Sequence, residues 1–130
     1  MLEKGRDVSR FGQISAAEDM LRQAIDLAKD DPEVRGAATY RLGQQRELRG
    51  DAKGAIKLYD EVLSKHEASR ALVSQALRSK AGVKPLDNGH APIFSSDERI
   101  KMLTKSLTAA KGLKDRFQLV VVYDELARFF

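Results

Sequence analysis

Apolar residues recur at three- and four-residue intervals in three segments of this chain. They are "AAEDMLRQAIDLAKDD" from Ala16, "GAIKLYDEVLSKHE" from Gly54 and "ERIKMLTKSLTAAKG" from Glu98. With Ala17, Ala55 and Arg99 in register, Leu21 aligns with Tyr59 and Leu103. Ala24, Val62 and Ser106 then align, followed by Ile25, Leu63 and Leu107. Each segment carries a stripe at i, i+3/i+4 and i+7/i+8, the signature of an amphipathic helix.

Further helices are expected between these. Asp31-Pro32-Glu33 is a start signal, with Asp as N-cap, Pro in the first turn and Glu beside it. The helix it opens carries Ala38, Leu42 and Leu48 and runs to about Arg49. Gly50-Asp51 then breaks it, the Gly as a left-handed cap and the Asp restarting the chain. Another helix is expected from about Ala68 to Ala81, with Leu72, Val73, Ala76 and Leu77 as its apolar residues. "DRFQLVVVYDELARFF" forms a last one. Helix, short turn, helix is the repeating order. Antiparallel helices in close contact need small residues where they approach, and Gly43 and Ala55 fill that need, flanked by Leu42, Tyr59 and Leu63. One such pair cannot bury its apolar face alone, so pairs are expected to stack.

Composition narrows the class. A length of 130 residues fits one domain, 42% hydrophobic and 32% charged residues allow a core and solubility, and only 3 Pro disfavours a disordered tail. No apolar run reaches the roughly 18 residues of a membrane span, and "MLEKGRDVSR" has no apolar leader core, so a cytoplasmic location is expected. The absence of Cys excludes disulfides, thiolate zinc sites and Cys nucleophiles. Net charge is +4, distributed unevenly: residues 1–35 carry 6 basic and 8 acidic residues, 36–81 carry 9 and 5, and 82–130 carry 8 and 6. The signs are interspersed and aromatics are few, which disfavours nucleic-acid binding while leaving the basic middle as an alternative basis for it.

At "LGQQRELRGDAKGAIKLYDEVL" the sequence resembles the tetratricopeptide repeat, a unit of about 34 residues. The positions that carry the resemblance are Leu42-Gly43, Gly50-Asp51, Ala55-Ile56, Tyr59, Val62 and Leu63. Thr39, where the family has a large residue, and Arg46, where an aromatic is common, depart from it. The resemblance implies an all-α, right-handed α-solenoid of antiparallel helix pairs, about three and a half repeats long. The repeats would cover about 3–31, 32–67 and 68–114, with a loop insertion at 82–97, before a C-terminal helix at 115–130. In the first repeat, Gly5 and Gly12 would stand at the helix Gly and the turn Gly of a shortened first helix. Leu126-Ala127 would be the Leu-Gly pair of a fourth, with Tyr123 before it.

The family binds ligands in the concave groove lined by the first helix of each pair. By position, that face here would present Tyr40, Arg41, Gln44 and Glu47, then Ser74, Gln75 and Arg78. This is a polar groove with two Arg, suited to an extended peptide or an acidic partner. Tyr40 and Gln44 stand where some relatives carry a Lys and Asn that clamp a chaperone's C-terminal carboxylate, so that ligand is not implied.

Two features depart from a plain array. "GVKPLDNGHAPIFSSD" (82–97) is too long for a repeat turn and is expected to be a surface decoration pinned by Leu86, Ile93 and Phe94. In the last helix, Leu119, Val120, Tyr123, Leu126, Ala127 and Phe130 form one stripe, expected to face inward. Phe117, Val121, Val122 and Phe129 lie off it. A helix apolar on two sides is normally covered on two sides. Phe117, Val121, Val122, Phe129 and Phe130 are therefore candidate interface residues, for a second copy of the chain or for further residues.

Little points to chemistry. His66 and His90 lack metal-ligand spacing, "GDAKGA" lacks the Gly-Lys-Ser/Thr of a phosphate loop, and no Gly-x-Ser-x-Gly occurs. Adjacent carboxylates such as Asp60-Glu61 point about 100° apart on a helix. The expectation is a non-catalytic scaffold for protein–protein interaction with no cofactor. Self-assembly through the C-terminal helix is the alternative.

Overall fold

The structure, a computed structural model, describes residues 2–64, 69–84, 92–111 and 116–129; side chains are described from Gly12 onward and, in the last segment, from Val120. It is all-helical over these residues: α1 (Leu2–Leu27), α2 (Pro32–Leu48), α3 (Ala52–Ser64), α4 (Arg70–Ala81), α5 (Ser96–Ala110) and α6 (Arg116–Ala127). No strand occurs among the described residues.

Local chemistry sets the boundaries. Asp31 caps α2 by accepting from the Val34 N–H at 3.2 Å, with Pro32 in the first turn. Gly50 has φ 84°, the left-handed conformation a Gly adopts without a Cβ penalty. Asp51 then accepts from the Gly54 N–H at 2.9 Å and opens α3. Ser69 caps α4 through the Leu72 N–H at 3.2 Å. Ser95 and Glu98 form a reciprocal capping box on α5.

The N-terminus differs from expectation. A shortened helix and a turn at Gly12 are expected, yet α1 continues through Gly5 and Gly12 as one helix of 26 residues. A lone Gly costs a helix only about 1 kcal/mol. Unlike Gly50, Gly12 has no following Asp to cap a new helix, so nothing stops the hydrogen-bond ladder there.

Each helix packs mainly on the next in the chain; α2 also touches α4, and α4 touches α6. The α2–α3 contact is a close one. A Cβ built on Gly43 would lie 2.6 Å from Cε1 of Tyr59, so the ring occupies the space that any other residue would need. Tyr59 is fully buried, with Ala55 and Val62 buried beside it. The Tyr40 ring packs against Tyr59 at 5.6 Å between centroids, tilted by 42°. Gly36 plays a similar part for α4: its missing Cβ would lie 2.9 Å from Cδ2 of Leu72. Between α4 and α5, Ser106 donates to the Ser74 carbonyl at 2.8 Å, and the two hydroxyls lie 2.9 Å apart.

Charge anchors α1. Glu18 is only 4% exposed and takes Arg49 at 3.0 Å and Arg46 at 3.7 Å, from the C-cap and last turn of α2. Arg46 also reaches Asp51 at 3.3 Å. The residue that stands where an aromatic was expected thus joins α1, α2 and the α2–α3 turn by charge. Elsewhere among its described side chains (12–27) α1 is half-buried at best, with Met20 and Leu27 largely exposed, and its main contacts are with α2.

These contacts predict opposite effects for two glycines. Gly43→Ala drives a methyl into a locked ring, an overpacking cost of about 1–3 kcal/mol that exceeds the helix-propensity gain of about 1 kcal/mol. Gly12 has nothing within 4 Å of its added Cβ, so Gly12→Ala gains about 0.5–1 kcal/mol. Urea unfolding should show a lower midpoint for the first and a higher one for the second, at unchanged slope.

Candidate functional site

The expected groove residues fall into two groups. Tyr40 is 7% exposed, its hydroxyl 2.7 Å from Ser79 Oγ and accepting from Gln44 Nε2 at 3.3 Å. Ser74 is fully buried against α5. Glu47, half-buried, accepts the Tyr59 hydroxyl. These three hold helices together, and their polar atoms are engaged inside the protein. Arg41 is exposed, and Gln44, Gln75 and Arg78 are half-buried. They leave a shorter polar strip than the sequence implies.

Burial and hydrogen bonding change the acid–base character of the Glu47–Tyr59 pair. Burial raises the Glu47 carboxyl above its ordinary 4.5, partly offset by the hydrogen bond from Tyr59. Burial also pushes the Tyr59 phenol well above its ordinary range, and the hydrogen bond and charge of Glu47 push it further.

The candidate interface on α6 is rotated from the expected one. Val122 is fully buried, Val121 is half-buried, and Phe129 is half-buried beneath Arg99, whose guanidinium carbon lies 4.9 Å from the ring centroid. Val120 and Tyr123, expected inside, are 64% and 52% exposed. Three consecutive valines fit either inward register. The contacts with α5 and α4 decide between them, and Arg99 fixes the choice by also donating to the Ala81 carbonyl at 2.9 Å. Phe130 and the side chain of Phe117 lie outside the described residues.

At the 82–97 insertion, Val83 is fully buried and its carbonyl accepts from the Ile93 N–H at 3.1 Å. That bond brings the two ends of the insertion together. Phe94 is half-buried with Lys80 Nζ 5.4 Å from its ring centroid, whereas Ile93 is exposed. Leu86 and both histidines, His66 and His90, lie outside the described residues.

A concavity that the sequence reading misses opens between α3, α4 and α5, with a volume of about 850 Å³. Its apolar lining is Leu63 from α3, Val73 and Leu77 from α4, and Met102 and Ala109 from α5. Arg70, Lys80, Lys101 and Lys105 also line it, and among the described residues Asp60 is the acid. Asp60 is held by Lys80 at 2.6 Å. None of the expected groove residues lines this cavity. One signal was visible in advance: Lys101 and Lys105 are like charges at i, i+4, an arrangement that mildly destabilises a helix.

No group of three or more His, Cys, Asp or Glu side chains placed to hold a metal occurs among the described residues. Nor is any described helix long and apolar enough to cross a membrane. No family model, curated protein or solved structure matches the chain.

Glu47 gives a pH test. Its folded pKa is raised, so the folded state holds the proton more tightly than the unfolded chain. The stability this contributes is present at low pH and is lost as pH rises through the raised value. Glu47→Gln keeps an acceptor for Tyr59 but cannot ionise. Its stability relative to wild type should therefore climb as pH rises from the ordinary carboxyl value of 4.5 through the raised one, read by urea unfolding at each pH. A pH-independent difference would refute the role given to Glu47.

Proposed function

We propose that this chain is a non-catalytic protein-interaction scaffold, built as a short right-handed solenoid of tetratricopeptide-like helix pairs. One observation carries the reading: buried positions repeat. Ala38, Tyr40, Leu42 and Gly43 of α2 are buried, and so are Leu72, Ser74, Ala76 and Leu77 of α4, each 34 residues later (72 − 38 = 34). That offset equals the repeat length of about 34 in the family the sequence resembles. Tyr59 and Val62 of α3 correspond to the buried Leu103 and Ser106 of α5, at an offset of 44 (103 − 59 = 44). The ten extra residues fall in the stretch that holds the insertion. The contacts of α2 with α4 and of α4 with α6 also support stacked pairs. Such stacking builds a continuous surface for a partner rather than an enclosed site for a reaction.

The polar strip of Arg41, Gln44, Gln75 and Arg78 is one surface on which a peptide would rest, and paired Arg forks favour carboxylates. A second reading, self-assembly, draws on α6. Val120 and Tyr123 are exposed three residues apart, so they share one face of the helix.

Affinity capture from the source lysate with quantitative mass spectrometry tests the scaffold. Wild type should enrich a protein partner over an unrelated helical protein, and Arg41→Ala/Arg78→Ala should reduce it. No enrichment would refute the scaffold. Light scattering tests the second reading: wild type should gain mass with concentration and Val120→Glu/Tyr123→Glu should not. A strict monomer in both would refute it.

A further inference from the structure

We infer that the α3/α4/α5 concavity is a docking groove for an acidic amphipathic helix of a partner protein. The inference rests on the scaffold reading and names both its surface and the chemistry of what it binds.

Shape comes first. Along α4 the lining residues run Arg70, Val73, Leu77 and Lys80, one face of the helix. From Arg70 to Lys80 this spans about 15 Å, close to three helical turns. Leu63 and Ser64 form one wall, and Met102 and Ala109 contribute to the other. Leu77 is the deepest of the apolar lining, at 8% exposed, while Leu63, Val73, Met102 and Ala109 remain half-buried. A helix laid between the walls would cover these apolar faces with residues spaced i, i+3/i+4 and i+7, the helix-in-groove mode of peptide recognition.

Charge selects the occupant. Lys80 is matched by Asp60. Arg70, Lys101 and Lys105 form no ion pair among the described residues, and all three are exposed at the rim. Lys101 and Lys105 stand one turn apart on α5, at the spacing of two acidic residues one turn apart on a partner helix. An acidic flank would relieve their mutual repulsion, and an apolar stripe would cover the floor. A basic or neutral helix would do only the second.

Other anions fit less well. A nucleic-acid strand would set charged phosphates over an apolar floor, and among the described residues no aromatic side chain lines the groove for a base to stack on. An acyl chain needs a pocket that encloses it, whereas this groove lies open between helices.

The test is selection from a phage-displayed library of random 16-residue peptides on the wild-type protein. Selected peptides are then titrated by fluorescence anisotropy. Comparison proteins are Lys101→Glu/Lys105→Glu, Arg41→Ala/Arg78→Ala and the remote control Arg22→Glu/Lys29→Glu, all at exposed or half-buried positions. A 20-nucleotide single-stranded DNA and phosphatidylcholine–phosphatidylserine vesicles are titrated in parallel. The expected peptides are net acidic, with apolar residues at helical spacing. They should lose at least tenfold in affinity on Lys101→Glu/Lys105→Glu, change less than twofold on the control, and weaken as salt is raised. Basic or neutral selected peptides, or acidic ones that bind Lys101→Glu/Lys105→Glu as well as wild type, would overturn the inference. So would DNA or vesicles binding more tightly than the best peptide. Peptides lost only on Arg41→Ala/Arg78→Ala would overturn it while leaving the scaffold standing. No enrichment on any protein would count against both.

Discussion

The Tyr59 ring, lodged where Gly43 has no side chain, is the contact on which the rest of the arrangement depends. It brings α2 and α3 closer than a residue with a Cβ at position 43 would allow. It buries a large aromatic completely, and the hydroxyl remains satisfied because Glu47 accepts it one turn further along α2. Without that acceptor a buried phenol would be a liability. With it, an apolar contact also sets a register: the ring, the Gly and the carboxylate meet only when α3 lies on α2 at one height. Tyr40 leans on the same ring from α2 and hands the register on to α4 through Ser79.

From that centre the helices are joined by two kinds of contact. Small and aliphatic residues close the α2–α4 and α4–α5 spaces: Gly36 beneath Leu72, Ala76, and the Ser74–Ser106 pair. Cations then tie the margins. Arg46 and Arg49 hold α1 through Glu18, Lys80 holds Asp60 of α3 and lies over Phe94, and Arg99 binds the end of α4 while covering Phe129. Exposed ion pairs of the Lys80–Asp60 kind contribute only about 0–1 kcal/mol each, so they orient margins rather than drive folding. Glu18 differs, since it is buried and removing its partners would leave a charge in the interior. One consequence matters for function. Basic side chains used as ties are engaged within the fold, whereas Arg70, Lys101 and Lys105, which form no ion pair among the described residues, stand on the rim of the α3/α4/α5 concavity.

Much of the local structure was legible in the chain. Asp31-Pro32, Gly50-Asp51 and the three registered stripes identified helices and turns, because caps and periodicity act within a few residues. The equal burial of Tyr59 with Leu103 and of Val62 with Ser106 follows the register drawn from sequence. The site was less legible. Positions carried over by resemblance did not give the fate of each side chain. Tyr40 and Ser74 turned out to be structural, since whether a polar residue meets solvent or another helix depends on a neighbour 32 to 39 residues away. The concavity was missed for the same reason: its lining comes from three helices, and no single stripe reveals it.

By itself, the sequence determined that this chain forms helices, where most of them begin and end, and that Gly43 is a small residue suited to a close helix approach. These are short-range matters of backbone conformation, capping and periodicity, encoded within a turn or two. Only the tertiary structure decided which face of α6 turns inward, since "VVV" satisfies two registers equally until Arg99 and α4 are in place. It alone placed Glu18 between two arginines 28 and 31 residues away (46 − 18 and 49 − 18). And it alone separated lysines and arginines that brace the fold from those that remain exposed. A side chain's charge is local, but its partner is set by packing, and packing is a property of the whole chain.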